Sequence, residues 1–163
     1  MGSLGSGSKV HVAIVGGGIT GLALAVGLAA RNVPYTIYER AAGPKEVGAG
    51  IGLSPNAERS MAGLDPKLLA AYNDVATPNG ADYFQWVDGV KTNELVCRMY
   101  LGKDAFRGCR RADLLESWLR LVPKDRLCFN KQVDTISDRE GGRVSLAFTD
   151  GSTAEADVGK TES

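Results

Sequence analysis

The chain of 163 residues is long enough for one domain of ordinary size, and its 44% apolar and 23% charged residues exclude wholesale disorder. Lys and Arg number 19, as do Asp and Glu, so no basic excess points to nucleic acid or to an anionic membrane surface. His11 is the only histidine and the three cysteines are widely spaced, which disfavours metal sites and histidine-based triads and favours reduced thiols in a cytoplasmic protein.

The first thirty residues contain a short leader and a long apolar run. Residues 1–8 are rich in Gly and Ser, which predicts a flexible leader. The run from Val10 to Ala30 imitates a membrane span or a signal sequence, but five glycines interrupt it. Because glycine destabilises the interior of a helix, this run favours a strand, a turn and a helix over a membrane segment.

A βαβ unit is predicted at the start of the chain. Val10–Val15 is a β-branched run typical of a buried parallel strand, and Gly16–Gly18 forms the turn that follows it. Apolar residues recur with helical period over Ile19–Arg31. A second strand is predicted at Tyr35–Tyr38, and it ends at Glu39.

The turn of this unit has the pattern G-x-G-x-x-G. Gly16 allows the tight turn, Gly18 allows a pyrophosphate to approach the backbone, and Gly21 allows the helix to pack closely on the strand. Glu39 lies 18 residues beyond Gly21, where a carboxylate can accept hydrogen bonds from both ribose hydroxyls of an adenosine and would repel a 2′-phosphate. The motif therefore predicts a dinucleotide site that disfavours NADP, and it leaves FAD and NAD open.

The rest of the chain predicts short elements that extend this α/β start. Gly43–Pro55 is a second glycine-rich loop, whose backbone N–H groups can meet a flat or anionic ligand; a flexible surface loop is the alternative. Helices are predicted at Asn56–Gly63, Asp65–Tyr72 and Arg111–Val122. Strands are predicted at Asp82–Val87, Glu94–Tyr100, Leu127–Asn130, Gln132–Ile136, Val144–Phe148 and Thr153–Ala156, with hairpin turns at Asp88-Gly89, Gly141-Gly142 and Asp150-Gly151.

Two parts of the sequence resemble a known family. The segment from Gly16 to Arg40, followed by Gly-Ala-Gly-Ile-Gly-Leu-Ser-Pro-Asn-Ala at 48–57, looks like the opening of salicylate-hydroxylase-like FAD-dependent monooxygenases, which are aromatic hydroxylases. The later run Arg-Arg-Ala-Asp-Leu-Leu resembles a His-Arg-Ala-Asp-Leu element of that family. Arg111 matches the family's arginine, and Arg110 stands where histidine is usual.

The resemblance implies a cofactor site and a reaction. Glu39 would hold the adenosine ribose, Gly52 would lie beside the flavin, and Arg111 would contact FAD between its two halves. The cofactor-binding residues implied in this way are Gly16, Gly18, Gly21, Glu39, Arg40, Gly52 and Arg111. The implied reaction is the hydroxylation of an aromatic or polyketide-like small molecule of secondary metabolism with NAD(P)H and O₂, in which the flavin does the chemistry and no catalytic side chain is named.

The resemblance ends near Val158, where the family continues with a Gly-Ala-Asp-Gly segment, a later FAD-binding motif and a substrate-binding sheet. We therefore interpret residues 9–158 as a truncated N-terminal FAD-binding domain of Rossmann-like α/β fold with a small added β-sheet, and residues 159–163 as a tail that matches nothing. We expect such a chain to bind FAD weakly or not at all. The alternatives are a non-catalytic fragment and the nucleotide-binding half of an NAD-dependent dehydrogenase.

Overall fold

The computed structural model describes residues 10–44 and 49–161. The predicted leader at 1–8 lies outside the described residues. The chain divides into two compact units, the first made of Met1–Lys45 and Leu115–Ser163 and the second of Glu46–Leu114. Among the described residues, no helix combines the length and the hydropathy that crossing a bilayer requires.

The described residues form twelve strands and four α-helices. The strands are β1 (Val12–Val15), β2 (Tyr35–Tyr38), β3 (Gly50–Leu53), β4 (Thr77–Pro78), β5 (Tyr83–Val87), β6 (Leu95–Tyr100), β7 (Arg107–Arg110), β8 (Leu127–Cys128), β9 (Val133–Asp138), β10 (Val144–Phe148), β11 (Thr153–Ala156) and β12 (Val158–Thr161). The helices are α1 (Ile19–Ala30), α2 (Pro55–Leu64), α3 (Pro66–Asn73) and α4 (Arg111–Leu119). This is the mixed α/β content that the sequence predicts.

The first unit contains a four-stranded parallel sheet with the strand order β12-β1-β2-β8. The predicted βαβ unit is confirmed, because β1 and β2 pair in parallel and are joined by α1. No element was predicted for residues 159–163, yet β12 pairs with β1 in parallel, with Val158 opposite Val12. The strand that ends at the glycine turn therefore has a neighbour on both sides, as a buried parallel strand requires.

β1 lies in the middle one of three layers in the first unit. On one face of the sheet, Ala13 packs in a cluster with Leu146, Phe148 and Ala156, all of which belong to β10 and β11. On the other face, Ile14 approaches α1. The antiparallel sheet of order β11-β10-β9 is thus the predicted small added sheet, and it covers one side of the parallel sheet.

The two predicted hairpin turns of the antiparallel sheet are confirmed. β9 and β10 pair in antiparallel fashion on either side of the Gly141-Gly142 turn, and β10 and β11 do so around Gly151. All three glycines have positive φ angles, between 78° and 83°. Glycine adopts this conformation without steric cost, so the turn residues fix the register of these strands.

The second unit corrects the prediction that Gly43–Pro55 is a loop throughout. Its described residues 50–53 form β3, which pairs in antiparallel fashion with β7, and β7 also pairs with β4. β3 was missed because Gly50 and Gly52 lack the β-branched signal of a strand, and β7, with the sequence Arg-Gly-Cys-Arg, lacks it as well. β4 has only two residues, Thr77 and Pro78. The helix predicted from Asp65 is α3, and Asp65 is its N-cap: the carboxylate accepts a hydrogen bond of 2.8 Å from the Lys67 N–H.

The hairpin of β5 and β6 forms a sheet of its own in the second unit, and all of its strand residues are exposed. Its connection is longer than the predicted turn at Asp88-Gly89. The Asp88 N–H donates to the Glu94 carbonyl, the Asn93 N–H donates to the Asp88 carbonyl, and Asn93 takes the positive φ of 55°. The chain therefore reverses over residues 88–93, and Asn93 can close this loop because asparagine also tolerates the left-handed conformation.

Two other elements are shorter than predicted. α4 ends at Leu119 and not at Val122, because the Leu121 and Val122 N–H groups donate to carbonyls three residues back, as in a 3₁₀ turn. The strand predicted to reach Asn130 ends at Cys128. Asn130 has a φ of 56°, which is incompatible with an extended strand.

Candidate dinucleotide-binding site

The glycine turn after β1 is tightly packed against the start of α1. Gly16 has a φ of 109°, and its N–H donates to the Tyr38 carbonyl at 2.9 Å, which ties the turn to the end of β2. A Cβ atom added to Gly21 would lie 2.1 Å from the carbonyl oxygen of Gly16. The structure thus requires glycine at both positions, for the turn and for the close approach of helix and strand.

The N-terminus of α1 follows this turn directly. Gly18 is the N-cap residue, and its carbonyl accepts the first helical hydrogen bond from the Leu22 N–H at 2.9 Å. No side chain caps the helix, and no acidic residue lies in its first turn. The positive end of the helix dipole is therefore not offset by a carboxylate of the first turn, and an anionic phosphate is suited to it.

The Glu39 carboxylate lies at the glycine turn. Its Oε2 accepts a hydrogen bond of 2.7 Å from the Gly17 N–H, and its Oε1 accepts one of 2.8 Å from the Ala41 N–H. Each carboxylate oxygen has two acceptor sites, so both oxygens keep capacity for a further donor. The predicted proximity of Glu39 to the turn is present, and this carboxylate can accept ribose hydroxyls beside a phosphate site.

Gly17 was missed as a participant in the site. The sequence pattern singles out only the first, third and sixth positions of the motif, and Gly17 is the intervening residue. A Cβ atom at Gly17 would lie 3.3 Å from both Cβ and Oε2 of Glu39, so a side chain there would crowd the carboxylate. The three consecutive glycines are the signal in the sequence that could have revealed this contact.

The remaining predicted residues lie in different places. Arg40 directly follows Glu39 in the first unit and is exposed. Gly52 and Arg111 belong to the second unit, where the Arg111 N–H donates to the Ala49 carbonyl at 2.9 Å, at the end of the β3–β7 pair. Gly48 lies outside the described residues. The structure thus brings Glu39 to the glycine turn. Gly52 lies on β3 of the β3–β7 pair, and Arg111 is the first residue of α4, which follows β7.

The space above Gly52 is filled by an aromatic ring. A Cβ atom added to Gly52 would lie 2.2 Å from Cζ of Phe106, whose ring contacts that of Phe84 at a centroid distance of 5.4 Å. Gly52 stands opposite Gly108 across the strand pair. The absence of a side chain at Gly52 therefore serves an internal ring contact, and its predicted position beside a flavin stays a prediction.

Two ionisable groups of the second unit have raised pKa values. Burial raises the pKa of the Tyr72 phenol, whose hydroxyl donates to the Arg107 carbonyl at 2.8 Å. Burial, followed by the nearby Asp113 carboxylate, raises the pKa of the Cys109 thiol. Both groups are therefore kept in their neutral forms, and Cys109 lacks the thiolate character of a nucleophile.

The fold and the turn geometry define a dinucleotide-binding unit of the Rossmann class. Comparison with protein families agrees, since the family described as NAD(P)-binding Rossmann-like domain matches residues 14–44. These residues run from β1 through α1 and β2 and include Glu39. The match thus covers the glycine turn and the carboxylate.

Curated relatives narrow this class. The chain is 48% identical to the FAD-dependent monooxygenase pigN of Monascus ruber over 157 residues, which cover 92% of this chain and 36% of the relative. It is 45% identical to azaH of Aspergillus niger, also named an FAD-dependent monooxygenase, over 91% of this chain and 37% of the relative. It is 35% identical to salicylate hydroxylase asL1 of Sarocladium schorii, over 91% of this chain and 34% of the relative.

Solved structures similar to this chain include a salicylate hydroxylase and an enzyme that binds FAD. A salicylate hydroxylase in complex with its substrate superposes with a TM-score of 0.75 at 29% identity, over 96% of this chain and 36% of that one. HpxO of Klebsiella pneumoniae, in complex with FAD and uric acid, superposes with a TM-score of 0.72 at 25% identity, over 92% of this chain and 38% of that one. The chain is thus homologous to salicylate-hydroxylase-like FAD-dependent monooxygenases, and it spans little more than a third of their length.

Proposed function

We propose that this chain provides the part of an FAD site that binds the adenosine diphosphate moiety, within a flavin-dependent monooxygenase. The observation that carries the proposal is the Glu39 carboxylate, held at the glycine turn by the Gly17 N–H. A carboxylate fixed beside a phosphate-binding turn matches an adenosine ribose, whose two hydroxyls are hydrogen-bond donors. The names of the curated relatives support FAD as the dinucleotide.

Each proposed contact has a physical role. The turn of Gly16 and Gly18, with the N-terminus of α1, would bind the pyrophosphate, and Gly21 would hold the helix close enough to do so. Glu39 would accept the ribose hydroxyls, and the exposed Arg40 beside it would face the nucleotide.

The proposed contacts of the second unit concern the rest of the cofactor. Arg111, the first residue of α4, would donate to FAD between its halves, because a guanidinium forms directed hydrogen bonds with phosphate and ribose oxygens. Gly52 would lie beside the flavin ring, as the resemblance to the family implies. Because the Phe106 ring fills the position of the missing Cβ, Gly52 would make this contact through its backbone.

For the complete enzyme, we propose hydroxylation of an aromatic or polyketide-like small molecule with NAD(P)H and O₂. FAD, when bound, supplies the redox chemistry of such a reaction, and the protein supplies binding, orientation and exclusion of water. The salicylate hydroxylases among the relatives and solved structures support an aromatic substrate. Residues 9–158 would be the FAD-binding domain, and the three free cysteines are consistent with a cytoplasmic location.

Calorimetric titration of the purified 163-residue chain tests the cofactor assignment. We expect saturable binding of ADP, with FAD bound no more tightly than ADP, since the chain spans only 36% and 37% of the length of two relatives that use FAD. Titration with 2′-phosphorylated ADP should show weaker binding, because Glu39 repels the added phosphate. A chain without measurable affinity for ADP would contradict the proposal, as would tighter binding of the 2′-phosphorylated nucleotide.

NAD is the second candidate ligand, because the matching family is described as NAD(P)-binding. Both dinucleotides share the adenosine diphosphate moiety, so the glycine turn and Glu39 serve either one. Fluorescence titration with NAD separates the two proposals. Binding of NAD at least tenfold tighter than that of ADP would favour a nicotinamide site, whereas equal binding of the two is the result expected for an FAD-site fragment.

A further inference from the structure

The backbone around Glu39 is held by a segment far away in sequence, which we name the clamp segment and which consists of residues 128–131. The Glu39 N–H donates to the Cys128 carbonyl at 2.8 Å, and the Glu39 carbonyl accepts from the Lys131 N–H at 2.9 Å. The Asn130 N–H donates to the Ala41 carbonyl at 3.0 Å. Three backbone hydrogen bonds thus fix the residue whose side chain is aimed at the glycine turn, together with Ala41.

These bonds extend beyond the regular pairing of the strands. β2 and β8 pair in parallel only at Ile37 with Leu127 and at Tyr38 with Cys128. At Asn130 the clamp segment turns with a φ of 56°, which lets the chain present the Cys128 carbonyl and the Lys131 N–H to the same residue, Glu39. Asparagine tolerates this left-handed conformation, whereas a β-branched residue is an outlier there.

The far end of the clamp segment is anchored by the Lys131 side chain. Its ammonium lies 2.6 Å from Oδ2 of Asp150 and 2.8 Å from Oγ of Ser152. It also stands 5.3 Å from the centre of the Phe148 ring, which belongs to the core of the first unit. The clamp segment is therefore bound at Lys131 both to the β10–β11 turn, through the side chain, and to the Glu39 carbonyl, through the backbone N–H.

Through Ala41, the clamp segment also supports one oxygen of the Glu39 carboxylate. Its Oε1 is held by the Ala41 N–H, and the Ala41 carbonyl is in turn held by the Asn130 N–H. Loss of the turn at Asn130 would release Glu39 and Ala41 together. The side chain would then have to be ordered again whenever a ligand binds, which weakens binding through the cost of fixing its conformation.

We propose that Asn130 is a positioning residue for the ribose-binding carboxylate of Glu39, and that it acts by maintaining the clamp segment. This inference rests on the proposed binding of adenosine ribose by Glu39. It predicts that a change at Asn130 affects only ligands whose ribose carries hydroxyl groups. If Asn130 had a purely structural role, changing it would weaken the binding of all nucleotides alike.

The test compares ADP with 2′,3′-dideoxy-ADP, which keeps the adenine and the diphosphate but lacks both ribose hydroxyls. Calorimetric titration is carried out on the full chain and on the variants Asn130→Val, Asn130→Ala and Asn130→Gly. We expect Asn130→Val to lower the affinity for ADP about tenfold, and Asn130→Ala to have an affinity between those of Asn130→Val and the parent. Asn130→Gly should bind ADP like the parent, since glycine accepts the positive φ. The affinity for dideoxy-ADP should change less than twofold in all three.

Equal losses of affinity for ADP and for dideoxy-ADP would overturn the inference, because they would show a general loss of folded structure. Unchanged ADP binding in both Asn130→Val and Asn130→Ala would also overturn it. The variant Glu39→Gln separates this failure from failure of the proposed function. If Glu39→Gln weakens ADP and the Asn130 variants do not, only the inference fails; if Glu39→Gln has no effect, the ribose-binding role itself is wrong.

Discussion

The carboxylate of Glu39 and the backbone N–H of Gly17 are joined by a hydrogen bond of 2.7 Å. The two residues lie at the ends of neighbouring parallel strands, and a second N–H, that of Ala41, holds the other carboxylate oxygen at 2.8 Å. Two hydrogen bonds within the protein thus fix the conformation of the side chain. A preordered acceptor lowers the cost of binding a ribose, and this relationship supports the assignment of the turn as a nucleotide site.

Replacing Glu39 with Gln should lower the affinity for ADP about tenfold and reduce the discrimination against 2′-phosphorylated ADP. Glutamine keeps the shape but removes the negative charge that accepts the ribose hydroxyls and repels a phosphate. Calorimetric titration with both nucleotides measures the two effects. Glu94→Gln, at an exposed glutamate of the second unit, is the control and should leave both affinities unchanged. Unchanged discrimination in Glu39→Gln would argue against a carboxylate at the ribose.

Replacing Gly21 with Ala should destabilise the fold by about 2–4 kcal/mol. The added Cβ would lie 2.1 Å from the Gly16 carbonyl oxygen, and backbone cannot move aside as a flexible side chain can. The matched control is Gly63→Ala in α2, where an added Cβ meets nothing within 4 Å and should stabilise the helix by about 0.5–1 kcal/mol. Urea unfolding gives both values, and a neutral Gly21→Ala would show that helix and strand separate easily.

Replacing Gly52 with Ala should displace the Phe106 ring, since the added Cβ would lie 2.2 Å from its Cζ atom. We expect Gly52→Ala to lower the free energy of unfolding by about 1–3 kcal/mol in the parent, and by less than about 0.5 kcal/mol when Phe106 is already Ala. A double-mutant cycle by urea unfolding measures the coupling. Gly50→Ala is the control, because its nearest neighbour, the Cys109 carbonyl oxygen, lies 3.9 Å away. Equal losses in both backgrounds would refute the contact.

Replacing Asp150 with Asn should lower stability at neutral pH but not at low pH. Its hydrogen bonds to the Lys131 ammonium and to Ser152 hold the pKa of the Asp150 carboxyl well below its usual range. Because the folded-state pKa is depressed, the stabilisation is present above the unfolded-state pKa near 4 and is lost as the pH falls through the folded-state value.

Urea unfolding at several pH values checks the Asp150 prediction. The difference between the parent and Asp150→Asn should be largest above about pH 5 and should shrink below about pH 4. Asp138→Asn, at an exposed aspartate of β9, is the control for the general effect of removing a negative charge. A difference that stays the same at pH 3 and at pH 7 would mean that the ion pair with Lys131 does not stabilise the fold.

Local chemistry made the βαβ unit and the hairpin turns predictable. The G-x-G-x-x-G turn, the helical period of α1 and the glycines at 141, 142 and 151 each dictate a conformation within a few residues. The Glu39 carboxylate was placed correctly at the turn, because strand pairing alone brings the end of β2 beside the end of β1.

Long-range pairing made other elements unpredictable. β12 is a strand because β1 lies beside it, and its sequence Val-Gly-Lys-Thr has no strong strand signal. β3 and β7 are glycine-containing strands that stabilise each other through backbone pairing. The contact between Gly17 and Glu39 and the ring over Gly52 likewise depend on neighbours distant in sequence.

In a nuclear magnetic resonance titration of the ¹⁵N-labelled chain with ADP, we expect saturable shifts of the amide signals of Gly16, Gly17 and Gly18, at the turn that faces the Glu39 carboxylate, together with those of the first turn of α1. The amide signals of β5 and β6 should stay unchanged and report that the effect is local. Saturable binding that leaves the three glycine amides unshifted, or no binding at all, would contradict the proposed nucleotide site.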